Sequence, residues 1–122
     1  MIPTKAHGVL DYLVGGFLIL LGASQYGTTT PGMVLIVLGA GHIIYSLATA
    51  YELGIVKTIP MAVHLAIDAA GGVFLAASPW LLGFADRVWA PHLFLGLFEI
   101  VVVLLSSRAP GAVKATPAHS PA

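Results

Sequence analysis

The chain has 122 residues, of which 58% are hydrophobic and 8% charged, with a mean hydropathy of +0.97. A soluble domain carries about 25% charged residues, so this chain lacks the charge to cover a water-facing surface and reads as one integral membrane domain. Five basic and five acidic residues cancel and cysteine is absent; the balance argues against nucleic-acid partners, and thiol chemistry, disulfides and thiolate-held zinc or iron–sulfur sites are excluded.

Four apolar segments follow one another. The first, residues 3–22, opens at Pro3 and carries His7, Asp11 and Gly15 at i, i+4 and i+8. The second, 31–51, opens at Pro31 and carries Gly39, His42, Ser46 and Thr49. The third, 60–78, opens at Pro60 and repeats the first pattern with His64, Asp68 and Gly72. The fourth, 91–107, opens at Pro91 and carries Gly96, Glu99 and Ser106. Proline suits a first helical turn, where its missing N–H would have no partner. Runs of about 17–21 residues match the ~20 that cross a ~30 Å hydrocarbon core as α-helix.

A cleaved signal peptide is the rival reading of the first segment. Its apolar run is longer than the ~7–15 residues of a signal sequence, and it contains Asp11; a retained span is expected. The loops are short. After Arg108 the composition turns to Ala, Pro and Ser, which cannot bury enough to fold. The expectation is one helical domain over 1–108 and a disordered tail over 109–122.

With four spans, Lys5, Lys57, Arg108 and Lys114 share one side, against Arg87 alone on the other. Both termini are then expected in the cytoplasm. Trp80, Trp89 and Tyr26 fall at the opposite interface, where amphipathic rings settle.

The chain also looks like one unit written twice. A shift of 57 positions sets Ile59, Pro60, His64, Asp68 and Gly72 over Ile2, Pro3, His7, Asp11 and Gly15. It also sets Gly96 over Gly39 and Glu99 over His42. Two helices per unit give both copies the same orientation, a parallel repeat about an axis along the membrane normal. The expected fold is therefore all-α, a four-transmembrane-helix bundle of two tandem repeats, 2–51 and 59–107.

Each polar set lies along one helix face, and small and polar residues mark surfaces where membrane helices meet. Asp11 and Asp68 lie eight residues past their opening prolines, ~12 Å deep at 1.5 Å per residue. His42 and Glu99 reach a similar depth from the same side. Asp11, His42, Asp68 and Glu99 are thus expected in one layer, with His7 and His64 one turn nearer the cytoplasm. Ionisable groups at such depth share protons and titrate as a set. Three roles stay open: polar contacts that fix helix packing, a proton or ion pathway, and ligation of haem or a divalent metal. Imidazole and carboxylate suit Fe, Mn or Zn, but the Glu-x-x-His pairs of di-iron bundles are absent, and the sequence requires no cofactor. His92 is expected at the outer interface in contact with solvent, and His119 in the tail as inert. No lysine and Ser/Thr follow the Gly15-Gly16 or Gly71-Gly72 pairs as a phosphate loop needs, and no serine sits in a nucleophile elbow.

Ser78-Pro79-Trp80 has a mechanical reading: a helix stop, a hydroxyl for a freed carbonyl, and an interfacial ring. At the end of the first helix of a two-helix unit, followed by Leu81-Leu82-Gly83-Phe84, it also resembles the SPW-repeat family of small bacterial membrane proteins. The proline and His-x-x-x-Asp opening of each half is similar to that family too. The resemblance covers residues 2–107, with the motif intact only in the second unit; Gly22-Ala23-Ser24 stands near its place in the first. It implies a bacterial inner-membrane protein with the unit present once or twice, no defined biochemical role and no catalytic residues. No substrate is indicated and the balance is against an enzyme. The lipid bilayer is the expected partner, with a second copy or another membrane protein as further candidates.

Overall fold

The computed structural model describes residues 1–109. Among these, four α-helices form an all-α bundle: α1 (Thr4–Leu21), α2 (Thr30–Leu47), α3 (Met61–Leu81) and α4 (Ala90–Leu105). The expected tail, with Lys114 and His119, lies outside the described residues except for Ala109. Three helical stretches, Thr4–Tyr26, Thr30–Leu47 and Met61–Leu81, are long and apolar enough to cross a membrane. At 16 residues α4 is shorter than expected, because the chain turns extended at Ser106. The outer faces are apolar, with Leu13, Leu20, Ile44, Phe94 and Leu104 all exposed. Together these features point to a membrane protein.

The prolines act at helix starts, as their chemistry predicts. Pro3 and Pro60 are the N-caps of α1 and α3, and their carbonyls accept the first helical bonds, from His7 N–H at 2.9 Å and His64 N–H at 3.0 Å. Pro31 and Pro91 lie in the first turns of α2 and α4. After α1 the chain widens into a π-helical turn, Gly22–Tyr26, closed by the Gly27 N–H to Gly22 carbonyl bond of 2.8 Å.

α1 packs chiefly on α2, and α3 on α4, giving two hairpins with thinner contact between them. Glycine sets the approach within each hairpin. A Cβ on Gly15 would lie 3.1 Å from the Gly39 carbonyl oxygen, and one on Gly72 would lie 3.0 Å from that of Gly96. A side chain at either position would have to push the facing backbone back by a few tenths of an ångström, so glycine lets the backbones meet directly.

Two apolar clusters bracket the middle of the bundle. Leu18, Val34, Leu35, Leu75 and Phe84 form one, and Tyr51, Met61 and Leu65 the other. The ends beside the second cluster are tied by backbone bonds. Ile2 N–H reaches the Leu105 carbonyl at 2.6 Å, and Ser107 N–H reaches that of Ile2 at 2.8 Å. Ala50 N–H meets the Ile59 carbonyl at 2.7 Å. The start of α1, the end of α4 and the α2–α3 connection therefore share one end of the bundle, and Trp80 and Trp89 sit together at the other, their rings tilted 42° with centroids 6.3 Å apart.

Three expectations are corrected. α2 ends at Leu47 rather than at 51, because Ile55 and Val56 N–H groups fold back onto the Leu47 carbonyl, at 2.7 and 2.9 Å. Pro79 does not stop α3, which continues to Leu81. It removes only the N–H that would bond the Leu75 carbonyl, and Ser78 Oγ donates to that oxygen at 2.7 Å instead. The chain turns away just beyond Leu81, at Gly83 with φ +75°, where the Phe84 N–H returns to the Pro79 carbonyl at 2.8 Å, a Schellman-type closure. His92 is not solvated at an interface. It is fully buried (0% exposed) and donates Nε2–H to the Pro31 carbonyl at 3.0 Å, tying α4 to α2.

Candidate functional site

All six candidate residues of the polar stripes, His7, Asp11, His42, His64, Asp68 and Glu99, converge in one buried centre between the two apolar clusters. Each comes from an inward stripe set by helical periodicity, and every helix contributes. The expected second tier of histidines merges with the first. His7 Nε2 lies 3.1 Å from Asp11 Oδ1 and 2.9 Å from Asp68 Oδ2, and His64 Nε2 lies 3.1 Å from both Asp11 Oδ2 and Asp68 Oδ2. The i, i+4 spacing lets each ring reach its own aspartate while the facing helix brings in the other.

His42 and Glu99 form the outer edge. His42 Nε2 bonds Asp11 Oδ1 at 3.0 Å and stands 3.8 Å from Asp68 Oδ1. Its Nδ1 faces Glu99 Oε1 at 3.5 Å. Beside this edge a cavity of ≈ 280 Å³ lies between α2 and α3, walled by Leu18, Val37, Leu38, Ile67 and Leu75, with Tyr45, Asp68 and Glu99 at its polar side. Gly41 and Gly71 also line it, and a Cβ on either would meet nothing within 4 Å.

Hydroxyls complete the centre. Ser106 Oγ donates to the Val102 carbonyl at 2.5 Å, which leaves its oxygen to accept from His7 Nδ1–H at 2.7 Å. Thr49 Oγ1 donates to the Tyr45 carbonyl at 2.7 Å and likewise accepts from His64 Nδ1–H at 2.7 Å. Both imidazoles thus carry a proton on Nδ1, and Nε2 is the nitrogen that faces the carboxylates. Tyr45 OH donates to Asp68 Oδ1, and Tyr51 OH to Asp11 Oδ2 at 2.6 Å.

Tyr45 and Tyr51 were not among the candidates. Tyr45 sits three residues after His42, on the same helix face, so spacing could have found it. Tyr51 lies beyond α2, in the connection, and no periodicity points it inward. Bonds on either side of the α1 stripe hold it there. Thr4 Oγ1 donates to Glu52 Oε1 at 2.7 Å, and Tyr12 OH to the Leu53 carbonyl at 2.7 Å. Burial first, and then its bond to the Asp11 carboxylate, push the Tyr51 phenol well above the usual range, so it stays a donor.

Ser78, Pro79 and Trp80 lie at the far end of α3 and take no part in the centre. The two features of the third segment are spatially separate. The chain matches no protein-family model, no curated protein and no solved structure.

Proposed function

We propose that this chain is a small multi-pass protein of a bacterial inner membrane, a two-unit member of the SPW-repeat family, with both termini in the cytoplasm. Its two duplicated hairpins are joined through the His/Asp/Glu centre, and that centre is the part through which the protein acts. It is a structural or interaction protein of the bilayer rather than an enzyme, and a second copy or another membrane protein is the partner class its apolar outer faces suit.

One observation carries this reading: the first helix of each hairpin supplies a histidine and an aspartate, and His7 and His64 each lie within 3.1 Å of the other hairpin's aspartate. Duplication is supported by contacts that repeat at the 57-residue shift. Ile2 bridges Ser106 and Ile59 bridges Thr49; His7 meets Ser106 and His64 meets Thr49; Gly15 faces Gly39 and Gly72 faces Gly96.

Because the chain has no cysteine, single Asp86→Cys and Ser107→Cys variants test the topology cleanly. Asp86→Cys is expected to react with an impermeant thiol reagent from outside intact cells, and Ser107→Cys only after permeabilisation; the reverse pattern rejects the orientation. Asp11→Asn combined with Asp68→Asn should lower stability in detergent without preventing insertion. Unchanged stability would reject the joining role.

A second reading, proton transfer, draws on the succession of close ionisable groups from Glu99 through His42 and Asp11 to His64, spaced 3.0 to 3.5 Å. It requires proton flux in liposomes that the Asp11→Asn variant loses.

A further inference from the structure

We propose that the centre is a binding site for one divalent first-row transition-metal ion, held by His7 Nε2, His64 Nε2 and one carboxylate oxygen each from Asp11 and Asp68. This rests on the reading that the centre is where the protein acts, and it names what the centre holds.

The donor geometry is the first support. Ligand atoms of these four buried residues all lie within 4.8 Å of one another; Asp68 Oδ2 lies 2.9 Å from His7 Nε2 and 3.1 Å from His64 Nε2, while Asp11 presents Oδ1 to His7 and Oδ2 to His64, each at 3.1 Å. Metal–ligand bonds of about 2.0–2.1 Å in a tetrahedral site place neighbouring ligands roughly 3.3 Å apart. The imidazole–carboxylate contacts are therefore within a few tenths of an ångström of the spacing that ligands of one ion adopt.

A second, independent observation is an orphaned nitrogen. His64 is 0% exposed, and its Nε2 makes no hydrogen bond although it sits 3.1 Å from an oxygen of each aspartate. A centre built only from hydrogen bonds would direct an N–H at one oxygen. A nitrogen held equidistant from two carboxylates and bonded to neither is placed as a ligand is placed. Buried polar atoms without partners are uncommon and call for a reason.

The surroundings complete the donor set. Ser106 and Thr49 accept the Nδ1–H hydrogen bonds of His7 and His64, which turns both Nε2 atoms inward and fixes each ring, as the outer partners of metal-bound imidazoles do. Two carboxylates and one divalent cation sum to zero charge, the cheapest state in an apolar interior. Two imidazoles select transition ions over Mg²⁺ and Ca²⁺, which prefer oxygen alone, and the absence of thiolate disfavours Cu(I). The carboxylates fill the space between the two imidazoles, where a haem macrocycle would have to lie, so the site suits a bare ion. Binding is a simple exchange without redox chemistry: the ion enters, and any proton on either Nε2 leaves. Affinity therefore rises with pH. Asp11 and Asp68 face those two nitrogens, with His42, Tyr45, Tyr51 and Glu99 behind them.

The test uses full-length protein purified in detergent, stripped with chelator and titrated with Co(II). The expected result is one equivalent per chain, with the visible ligand-field band of four-coordinate Co(II), displaced by Zn(II) and not by Mg²⁺. Asp68→Asn should abolish the band. Thr49→Ala and Ser106→Ala should each weaken binding by about 10–100-fold with helicity by circular dichroism unchanged, a pattern that a merely structural role would not give. If an Asp68→Asn chain fails to fold, the Thr49→Ala and Ser106→Ala titrations decide alone. A helical wild-type chain that takes up no stoichiometric Co(II) or Zn(II) overturns the proposal, as does an undiminished band in Asp68→Asn. Either failure leaves the joining of the hairpins standing, since that is read from the stability of the metal-free protein.

Discussion

His7 of α1 lies closer to the aspartate of the other hairpin than to its own: Nε2 is 2.9 Å from Asp68 Oδ2 and 3.1 Å from Asp11 Oδ1. The crossing makes the centre a property of the closed bundle. Apart, the hairpins would leave His7 without Ser106, His64 without Thr49 and Asp68 without Tyr45, and unpaired polar groups at membrane depth are costly. Closure of the hairpins and formation of the centre are therefore one event.

Tyr51 is expected to stabilise the bundle through Asp11. Tyr51→Phe should cost about 2 kcal/mol, the range for a hydrogen bond to a charged group. The pH dependence has a definite sign. The folded phenol ionises above its unfolded value, so the contribution is complete below the unfolded value of about 10 and is lost as pH rises past it. Denaturation in detergent across alkaline pH should show a falling limb that Tyr51→Phe flattens.

The glycines divide into two classes with opposite outcomes. Gly15→Ala and Gly39→Ala should each destabilise by about 1–3 kcal/mol through overpacking, because their Cβ atoms would lie 2.6 Å from Ile43 Cγ1 and 2.7 Å from the Gly15 carbonyl oxygen. Gly41→Ala and Gly71→Ala meet open space and should be neutral or gain up to about 1 kcal/mol of helix propensity. Melting temperatures of the four variants separate the classes.

Ser78 and Pro79 should be coupled. Ser78→Ala alone leaves the buried Leu75 carbonyl without its hydroxyl donor and should cost about 1–2 kcal/mol. In a Pro79→Ala background the restored N–H takes that role, and Ser78→Ala should cost almost nothing. Equal costs in both backgrounds would dismiss the compensation.

The apolar runs, the opening prolines and the His-x-x-x-Asp spacing carry most of the fold, because helical period and span length are local properties. The same periodicity sets six of the centre's residues on inward stripes without reference to any tertiary contact. Tyr51 was hidden because its placement depends on a chain reversal fixed by Thr4–Glu52 and Tyr12–Leu53, contacts more than 40 residues apart. Pro79 misled for a related reason. A proline in the last turn costs one hydrogen bond, and its neighbour Ser78 replaces it. His92 looked interfacial from its distance to Pro91, while its fate was set by the Pro31 carbonyl on another helix.

The most direct measurement is a double-mutant cycle between His7 and Asp68, using His7→Asn and Asp68→Asn, with unfolding free energies taken in detergent in the presence of chelator. A centre shared crosswise between the hairpins predicts a coupling of about 1–3 kcal/mol, above the ~0.6 kcal/mol typical of interhelical hydrogen bonds in membranes. Additivity within about 0.3–0.5 kcal/mol would mean that the two side chains act independently, and would contradict the account.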